Sequence, residues 1–166
     1  NGELVNLGKN PTAIMNLQMF RYALLGGAGN TLGLVLLMCR SKSKHISSIG
    51  RLSIVPGICG INEPIMFGAP IVLNPIMFIP FVFVPVINAI IGYFATSWGL
   101  VNHLVVLNSG VEPIFVNAWV LGAFTLSPVI LCIVLFILDL VLYYPFVKLQ
   151  IKQNTLEAQN EGAAVE

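Results

Sequence analysis

A single carboxylate, Glu63, interrupts a long apolar region of this 166-residue chain. It lies within residues 60–75, which read Gly-Ile-Asn-Glu-Pro-Ile-Met-Phe-Gly-Ala-Pro-Ile-Val-Leu-Asn-Pro. A charge at membrane depth is costly and is usually a functional group with a partner. Because proline breaks a helix and restricts the residue before it, we expect 62–64 and 73–75 to be non-helical. Irregular backbone inside a membrane is tolerated only where protein buries it or where it lines a wet cavity, so this stretch is a candidate polar-solute site. The alternative is a structural glutamate near the lipid headgroups.

The composition indicates an integral membrane protein. Hydrophobic residues make up 57% of the sequence and charged residues only 9%, with a mean hydropathy of +0.88. An ordinary soluble domain carries about 25% charged residues, so this chain could not cover its surface with polar groups. The formal net charge of +1 and the lack of a basic stripe with interleaved aromatics argue against nucleic-acid binding. We therefore predict an all-α integral membrane protein.

The basic residues give an orientation. No charged residue lies between Arg21 and Arg40, which predicts a spanning helix over 22–39 close to the lower length limit. A basic cluster follows and should be cytoplasmic by the positive-inside rule. It comprises Arg40, Lys42, Lys44, His45 and Arg51. Apolar residues at a spacing of three over 46–52 predict a short interfacial helix beside it.

The next segment predicts a re-entrant hairpin. Arg51 and Glu63 are too close in sequence for a helix between them to cross about 30 Å of hydrocarbon. Pro56 and two glycines lie in this interval, so we expect the chain to turn back at a tip formed by 62–64. No further charge occurs before Glu112, which leaves room for the return arm and one spanning helix over about 76–96, kinked at two prolines. Residues 97–113 lack lysine and arginine and are predicted to lie outside.

In the last third, residues 115–147 contain Gly122 and Pro128 and should then form a long apolar helix. Within 115–147 the one charged residue is Asp139, which either hydrogen-bonds inside the bundle or approaches the surface. Tyr143 and Tyr144 are interpreted as interfacial aromatics, and Lys148 as a marker of the cytoplasmic side. Residues 153–166 are polar and are expected to form a frayed cytoplasmic tail.

Few residues offer chemistry. The three cysteines, Cys39, Cys59 and Cys132, have neither metal-site nor redox-pair spacing, and we expect no metal site. Glu63 could accept a hydroxyl proton or a hydrogen bond, and Asn62 beside it offers both a donor and an acceptor. Such groups suit a neutral polyol, which needs paired hydrogen bonds rather than a counter-charge.

The 60–75 stretch closely resembles the signature of the membrane-embedded IIC component of the bacterial phosphotransferase system, in its lactose/cellobiose branch. Further resemblance lies in the glycine-rich segment 26–34, in the basic segment 41–44 and in Tyr-Tyr-Pro-Phe at 143–146. Together these motifs extend from about Leu25 to Lys148.

The resemblance implies a multi-pass transporter of the bacterial cell membrane, homodimeric at full length. It would translocate a sugar, expected to be a disaccharide such as cellobiose, lactose or chitobiose. The sugar 6-hydroxyl would then attack a phosphocysteine on the soluble IIB partner, which receives its phosphoryl group from IIA, so no bound cofactor is implied. Carried over by motif, Glu63 would bind and activate this hydroxyl and Asn62 would orient the sugar. Gly27, Asn30 and Asn74 would be structural members of the motifs.

We interpret residues 1–152 as the carboxy-terminal, substrate-binding portion of a IIC domain and 153–166 as the tail. The family's partner histidine would lie upstream, and its Trp segment between prolines is replaced by Val-Glu-Pro-Ile-Phe at 111–115, with Trp119 further on. The stacking aromatic and the sugar therefore stay open. So do two other classes of protein. One is a facilitator or channel without phosphotransfer, with Glu63 as a selectivity or proton-coupling group, and the other is a structural subunit in which Glu63 is replaceable.

Overall fold

The computed structural model describes residues 24–163 apart from 42, 70, 105 and 107–111, together with residues 3 and 6–8. The described residues form helices and turns and contain no strand. The helices are α1 (Thr31–Cys39), α2 (Lys44–Ile58), α3 (Glu63–Gly68), α4 (Pro75–Ser97), α5 (Ile114–Leu121) and α6 (Ser127–Ala163), with a 3₁₀ turn at Ile71–Leu73 between α3 and α4. The predicted all-helical class is confirmed for this part of the chain.

Two of these helices are long and apolar enough to cross a membrane. They are α4 and the first part of α6, Ser127–Gln153. The observed α4 matches the helix predicted over 76–96 to within a residue at each end. Both helices expose rows of large apolar side chains, such as Phe83 and Ile90 on α4 and Ile137 on α6. They bury polar ones, Asn88 and Asp139, between them. An apolar outside and a polar inside is the arrangement expected of helices in lipid.

The segment around Glu63 forms a tight helical hairpin. α2 contains the short helix predicted over 46–52 and continues past Pro56 to Ile58. The chain then turns, and α3 packs back on α2, where Gly68 lies against Ile49. The expected non-helical 62–64 is wrong for Glu63 and Pro64, which form the first turn of α3. Proline is tolerated there because the first helical N–H groups have no intrahelical partner.

The predicted continuous helix over 22–39 is wrong for the described residues. Residues 24–30 form a series of turns, which we call the glycine turn, and α1 begins only at Thr31. Gly27 has φ +90° and Asn30 has φ +53°, which a helix cannot accommodate. The glycines therefore change the direction of the chain rather than only allowing close helix packing.

The carboxy-terminal part differs from expectation in two places. α6 continues to Ala163, so the backbone expected to fray from 153 is helical, in keeping with the helix-forming Leu, Glu, Ala and Gln residues there. Tyr143 is fully buried instead of lying in an interfacial belt, whereas the neighbouring Tyr144 is 58% exposed.

The buried apolar residues form two clusters at opposite ends of α1. One joins α1, α5, α6 and the turns beside them, around Leu32, Leu121 and Leu135. The other joins α1 to α2, α3, α4 and the part of α6 from Tyr143 onward, around Leu34, Ile65 and Tyr143. The glycine turn leads into α1, and α1 contributes to both clusters. The turn therefore lies where the hairpin, α5 and α6 meet.

Candidate functional site

The Asn-Glu-Pro turn places Glu63 at the protein surface. Asn62 has φ −114° and ψ 0°, and its backbone carbonyl accepts the N–H groups of Ile65 at 3.2 Å and Met66 at 3.0 Å. These bonds fix the start of α3 directly after Asn62. Glu63 is exposed, so its carboxylate is accessible to a molecule bound beside the turn.

The Asn62 side chain connects this turn to the glycine turn. Its Nδ2 donates to the Ala28 carbonyl at 2.7 Å and also contacts the Met66 sulfur at 3.2 Å. Gly27 lies directly against the same side chain, since a Cβ added at Gly27 would be 2.8 Å from Asn62 Cγ. Gly27 is thus required both for its backbone conformation and for the space that Asn62 occupies. Two of the segments that carry the family resemblance, 26–34 and 60–75, are therefore in direct contact.

A small cavity opens beside this contact, between the glycine turn and α5. Its volume is about 170 Å³. Among the residues that line it are Gly27, Gly60, Glu112, Asn117 and Cys132. Asn117 Nδ2 donates to Glu112 Oε2 at 3.5 Å, and Asn117 Oδ1 is buried without a hydrogen-bond partner. Glycine backbone on one wall and amide and carboxylate groups on the other suit a hydroxyl-bearing solute.

A second polar cluster lies deeper in the protein. Asn88 of α4 donates through Nδ2 to Asp139 Oδ1 of α6 at 2.8 Å, and both side chains are completely buried. Asn30 is also completely buried, with its side chain beside Asp139. One helical turn beyond Asp139, the Tyr143 hydroxyl donates to the Gly29 carbonyl. Asp139 therefore lies inside the bundle, which was one of its two predicted positions.

The remaining predicted residues have local structural contacts. Asn74 begins α4 as its N-cap, with Oδ1 accepting the N–H of Ile76 at 3.0 Å. Cys39, Cys59 and Cys132 are free thiols. Across the described ranges, no three His, Cys, Asp or Glu side chains are grouped so that they could hold a metal ion.

Sequence reasoning missed Asn88, Asn117 and Tyr143. An asparagine in the middle of an apolar helix was the available signal for Asn88, because such a group needs a partner at membrane depth. Asn117 had a similar signal, in an apolar segment that also contains Trp119. Tyr143 had no sequence signal that distinguished it from Tyr144.

Long apolar helices with a polar interior, joined to a hairpin that presents a carboxylate, are typical of a helical membrane protein. Comparison with known proteins identifies its family. The family model described as "Phosphotransferase system, EIIC" matches residues 1–85. The cellobiose-specific EIIC component of Lactococcus lactis is 42% identical over 82% of this chain and 27% of its own length. The lactose-specific EIICB component of Staphylococcus haemolyticus is 38% identical over 92% of this chain and 27% of its own length.

A solved structure resembles the fold closely. The transporter ChbC, the IIC component from the N,N'-diacetylchitobiose-specific phosphotransferase system, superposes with a TM-score of 0.90 at 39% identity. The match covers 96% of this chain and 38% of that one. The chain belongs to the EIIC family of the phosphotransferase system, in its lactose/cellobiose branch. It spans little more than a quarter of the length of these curated relatives.

Proposed function

We propose that this chain is the part of a disaccharide transporter that binds the sugar and presents its 6-hydroxyl to a phosphorylated IIB partner. The observation that carries the proposal is the exposed Glu63, held at the start of α3 by a turn that is itself tied to the glycine turn. The names of the relatives, specific for cellobiose, lactose or diacetylchitobiose, support a disaccharide. A fused EIICB relative supports a IIB partner.

Glu63 is proposed to be the catalytic base. The sugar 6-oxygen attacks the phosphorus of the IIB phosphocysteine, and its proton passes to the Glu63 carboxylate. The oxygen–phosphorus bond forms while the phosphorus–sulfur bond breaks, and the cysteine leaves as a thiolate. A positioned base of this kind contributes about 10²–10⁴-fold to the rate.

Asn62 is proposed to help orient the sugar and to hold Glu63 in place. Its Nδ2 is bonded to Ala28, so the contact with the glycine turn accounts for the positioning role. The cavity between the glycine turn and α5 is proposed to receive part of the sugar, with Glu112 and Asn117 facing its hydroxyl groups. At about 170 Å³ it is smaller than the 300–1,000 Å³ of typical ligand pockets. It therefore suits one portion of a disaccharide.

The hairpin is proposed to be re-entrant. The 15 residues of α2 extend for about 22 Å, less than the hydrocarbon thickness of about 30 Å, before the chain turns back. The Asn-Glu-Pro turn is accordingly proposed to lie inside the bilayer of a bacterial cytoplasmic membrane, with the basic start of α2 in the cytoplasm. The full-length transporter is proposed to be a homodimer.

The test uses the full-length transporter in membranes supplied with its soluble partners. Glu63→Gln keeps the size and hydrogen bonding of the side chain but removes the base. We expect phosphosugar formation to fall by about 10² or more, since the general base is lost. Sugar binding should fall less, because the amide still accepts a hydrogen bond. The matched control is Glu3→Gln, at an exposed glutamate outside the Asn-Glu-Pro motif.

Three quantities are measured on the same membranes: sugar binding, downhill flux and phosphosugar formation. Normal phosphosugar formation by Glu63→Gln would refute the catalytic role. Sugar movement without any phosphoenolpyruvate requirement would show a facilitator instead.

A further inference from the structure

Three side chains from different parts of the chain hold the glycine turn by its backbone carbonyls. The Thr31 hydroxyl donates to Gly26 O at 2.6 Å. Asn62 Nδ2 donates to Ala28 O at 2.7 Å, and the Tyr143 hydroxyl donates to Gly29 O. Consecutive carbonyls at 28 and 29 are therefore held by two different elements, one by the hairpin and the other by α6.

Tyr143 reaches the turn from a surface of α6 that is packed firmly on α1. Its side chain is completely buried. One helical turn earlier, Asp139 lies against Gly33 of α1, where an added Cβ would be 3.2 Å from Asp139 Cβ. The bond from Asn88 holds Asp139 from the α4 side. The hydroxyl of Tyr143 is thus a fixed donor, because its own helix is fixed against both α1 and α4.

From these contacts we infer that Tyr143 is a positioning residue for the Asn-Glu-Pro site. Its hydroxyl holds the glycine turn at the Gly29 carbonyl. The glycine turn holds Asn62 through the hydrogen bond from Asn62 Nδ2 to the Ala28 carbonyl. The backbone carbonyl of Asn62 in turn accepts the N–H groups of Ile65 and Met66 in the first turn of α3, which begins at Glu63. A movement of the turn would thus shift the carboxylate relative to the sugar 6-hydroxyl. This inference rests on the proposed function.

The first test is Tyr143→Phe in the full-length transporter, which removes the hydroxyl and keeps the ring. Loss of one hydrogen bond is worth about 0.5–1.5 kcal/mol, so we expect phosphosugar formation at saturating sugar to fall by about two- to twelvefold per folded molecule. The matched control is Tyr144→Phe, since Tyr144 is adjacent and exposed and should leave the rate unchanged. A Tyr143→Phe protein with the unaltered rate would overturn the inference.

A double-mutant cycle separates positioning from a general structural role. When Asn62→Ala has already cut the connection, adding Tyr143→Phe should change the rate by less than twofold. If Tyr143 had only a structural role, Tyr143→Phe would lower the amount of folded protein or its melting temperature. Its effect on the rate would then be the same whether position 62 is Asn or Ala. That equal effect would also overturn the inference.

A second variant covers the case in which Tyr143→Phe does not fold. Thr31→Val removes the hydroxyl that holds the same turn at Gly26 and keeps the shape of the side chain. The effect of Thr31→Val on phosphosugar formation should likewise be lost when Asn62 is replaced by alanine. A Thr31→Val transporter with the rate of the unaltered protein would count against the inference. Glu63→Gln, run in parallel, distinguishes the two failures. If it abolishes phosphosugar formation while Tyr143→Phe and Thr31→Val do not reduce it, the positioning inference alone is wrong.

Discussion

Gly27 is the position where the structure makes the sharpest prediction about stability. An alanine there would have φ +90° and a Cβ 2.8 Å from Asn62 Cγ and 2.9 Å from the Gly60 carbonyl oxygen. The left-handed conformation costs a residue with a Cβ about 1–2 kcal/mol. Overpacking against neighbours that cannot move freely adds about 1–3 kcal/mol. We therefore expect Gly27→Ala to destabilise the protein by about 2–5 kcal/mol.

Two other glycines separate these contributions. Gly60 has φ +79° but no atom within 4 Å of an added Cβ, so Gly60→Ala should show only the conformational cost of about 1–2 kcal/mol. Gly57 lies in α2 with its nearest neighbour at 3.5 Å. Gly57→Ala should be neutral or stabilising by up to about 1 kcal/mol, because alanine is the better helix former.

The assay is thermal unfolding of the full-length transporter in detergent, with sugar affinity measured on the folded fraction. Gly27→Ala should have the lowest melting temperature of the three variants and the weakest sugar binding, because it displaces Asn62. The reasoning would be refuted if Gly27→Ala and Gly60→Ala were equally stable, since the contact with Asn62 would then contribute nothing.

Three further predictions concern orientation, the buried cluster and a helix cap. Single cysteines at Lys44 and Asn102 in a cysteine-free transporter should react with an impermeant reagent from opposite sides, and labelling of both from outside would contradict the topology. Asp139→Leu should lower the free energy of unfolding by about 1–3 kcal/mol, because it leaves the buried Asn88 amide unpaired. Adding Asn88→Leu should recover part of this loss, and a double variant no more stable than the single one would show that the unpaired amide is not the cause. Asn74→Ala should cost about 0.5–2 kcal/mol in thermal unfolding by removing the cap of α4, whereas Asn74→Asp should retain the cap, and equal stability of the two would argue against it.

Several elements could be predicted because their signals are local. The charge-free interval between Glu63 and Glu112 predicted α4 almost to the residue, although Pro75, which was expected to be non-helical, is its first residue. A long apolar sequence similarly predicted the helix that contains Asp139. The direct match of 60–75 to a known motif predicted the family without any knowledge of the fold.

The errors arose where tertiary contacts override local preference. Apolar content favoured a helix through 24–30, but a turn forms there because its carbonyls bind side chains distant in sequence. Periodicity could not distinguish Tyr143 from Tyr144, since only the packing of α6 decides which one is buried. Glu63 and Pro64 were expected to be irregular, yet proline at the second helical position suits the start of a helix.

The bond between Tyr143 and Gly29 also has a consequence for biosynthesis. It joins residues 114 positions apart, and its donor lies in α6, well after the turn in sequence. A ribosome therefore synthesises the glycine turn and the Asn-Glu-Pro hairpin well before the group that holds the turn from α6. During insertion into the membrane, the Gly29 carbonyl is therefore not bound by Tyr143 until α6 has been inserted. A nascent chain released before Tyr143 would have every residue of the Asn-Glu-Pro hairpin but would lack one of the three side-chain hydrogen bonds to the carbonyls of the glycine turn.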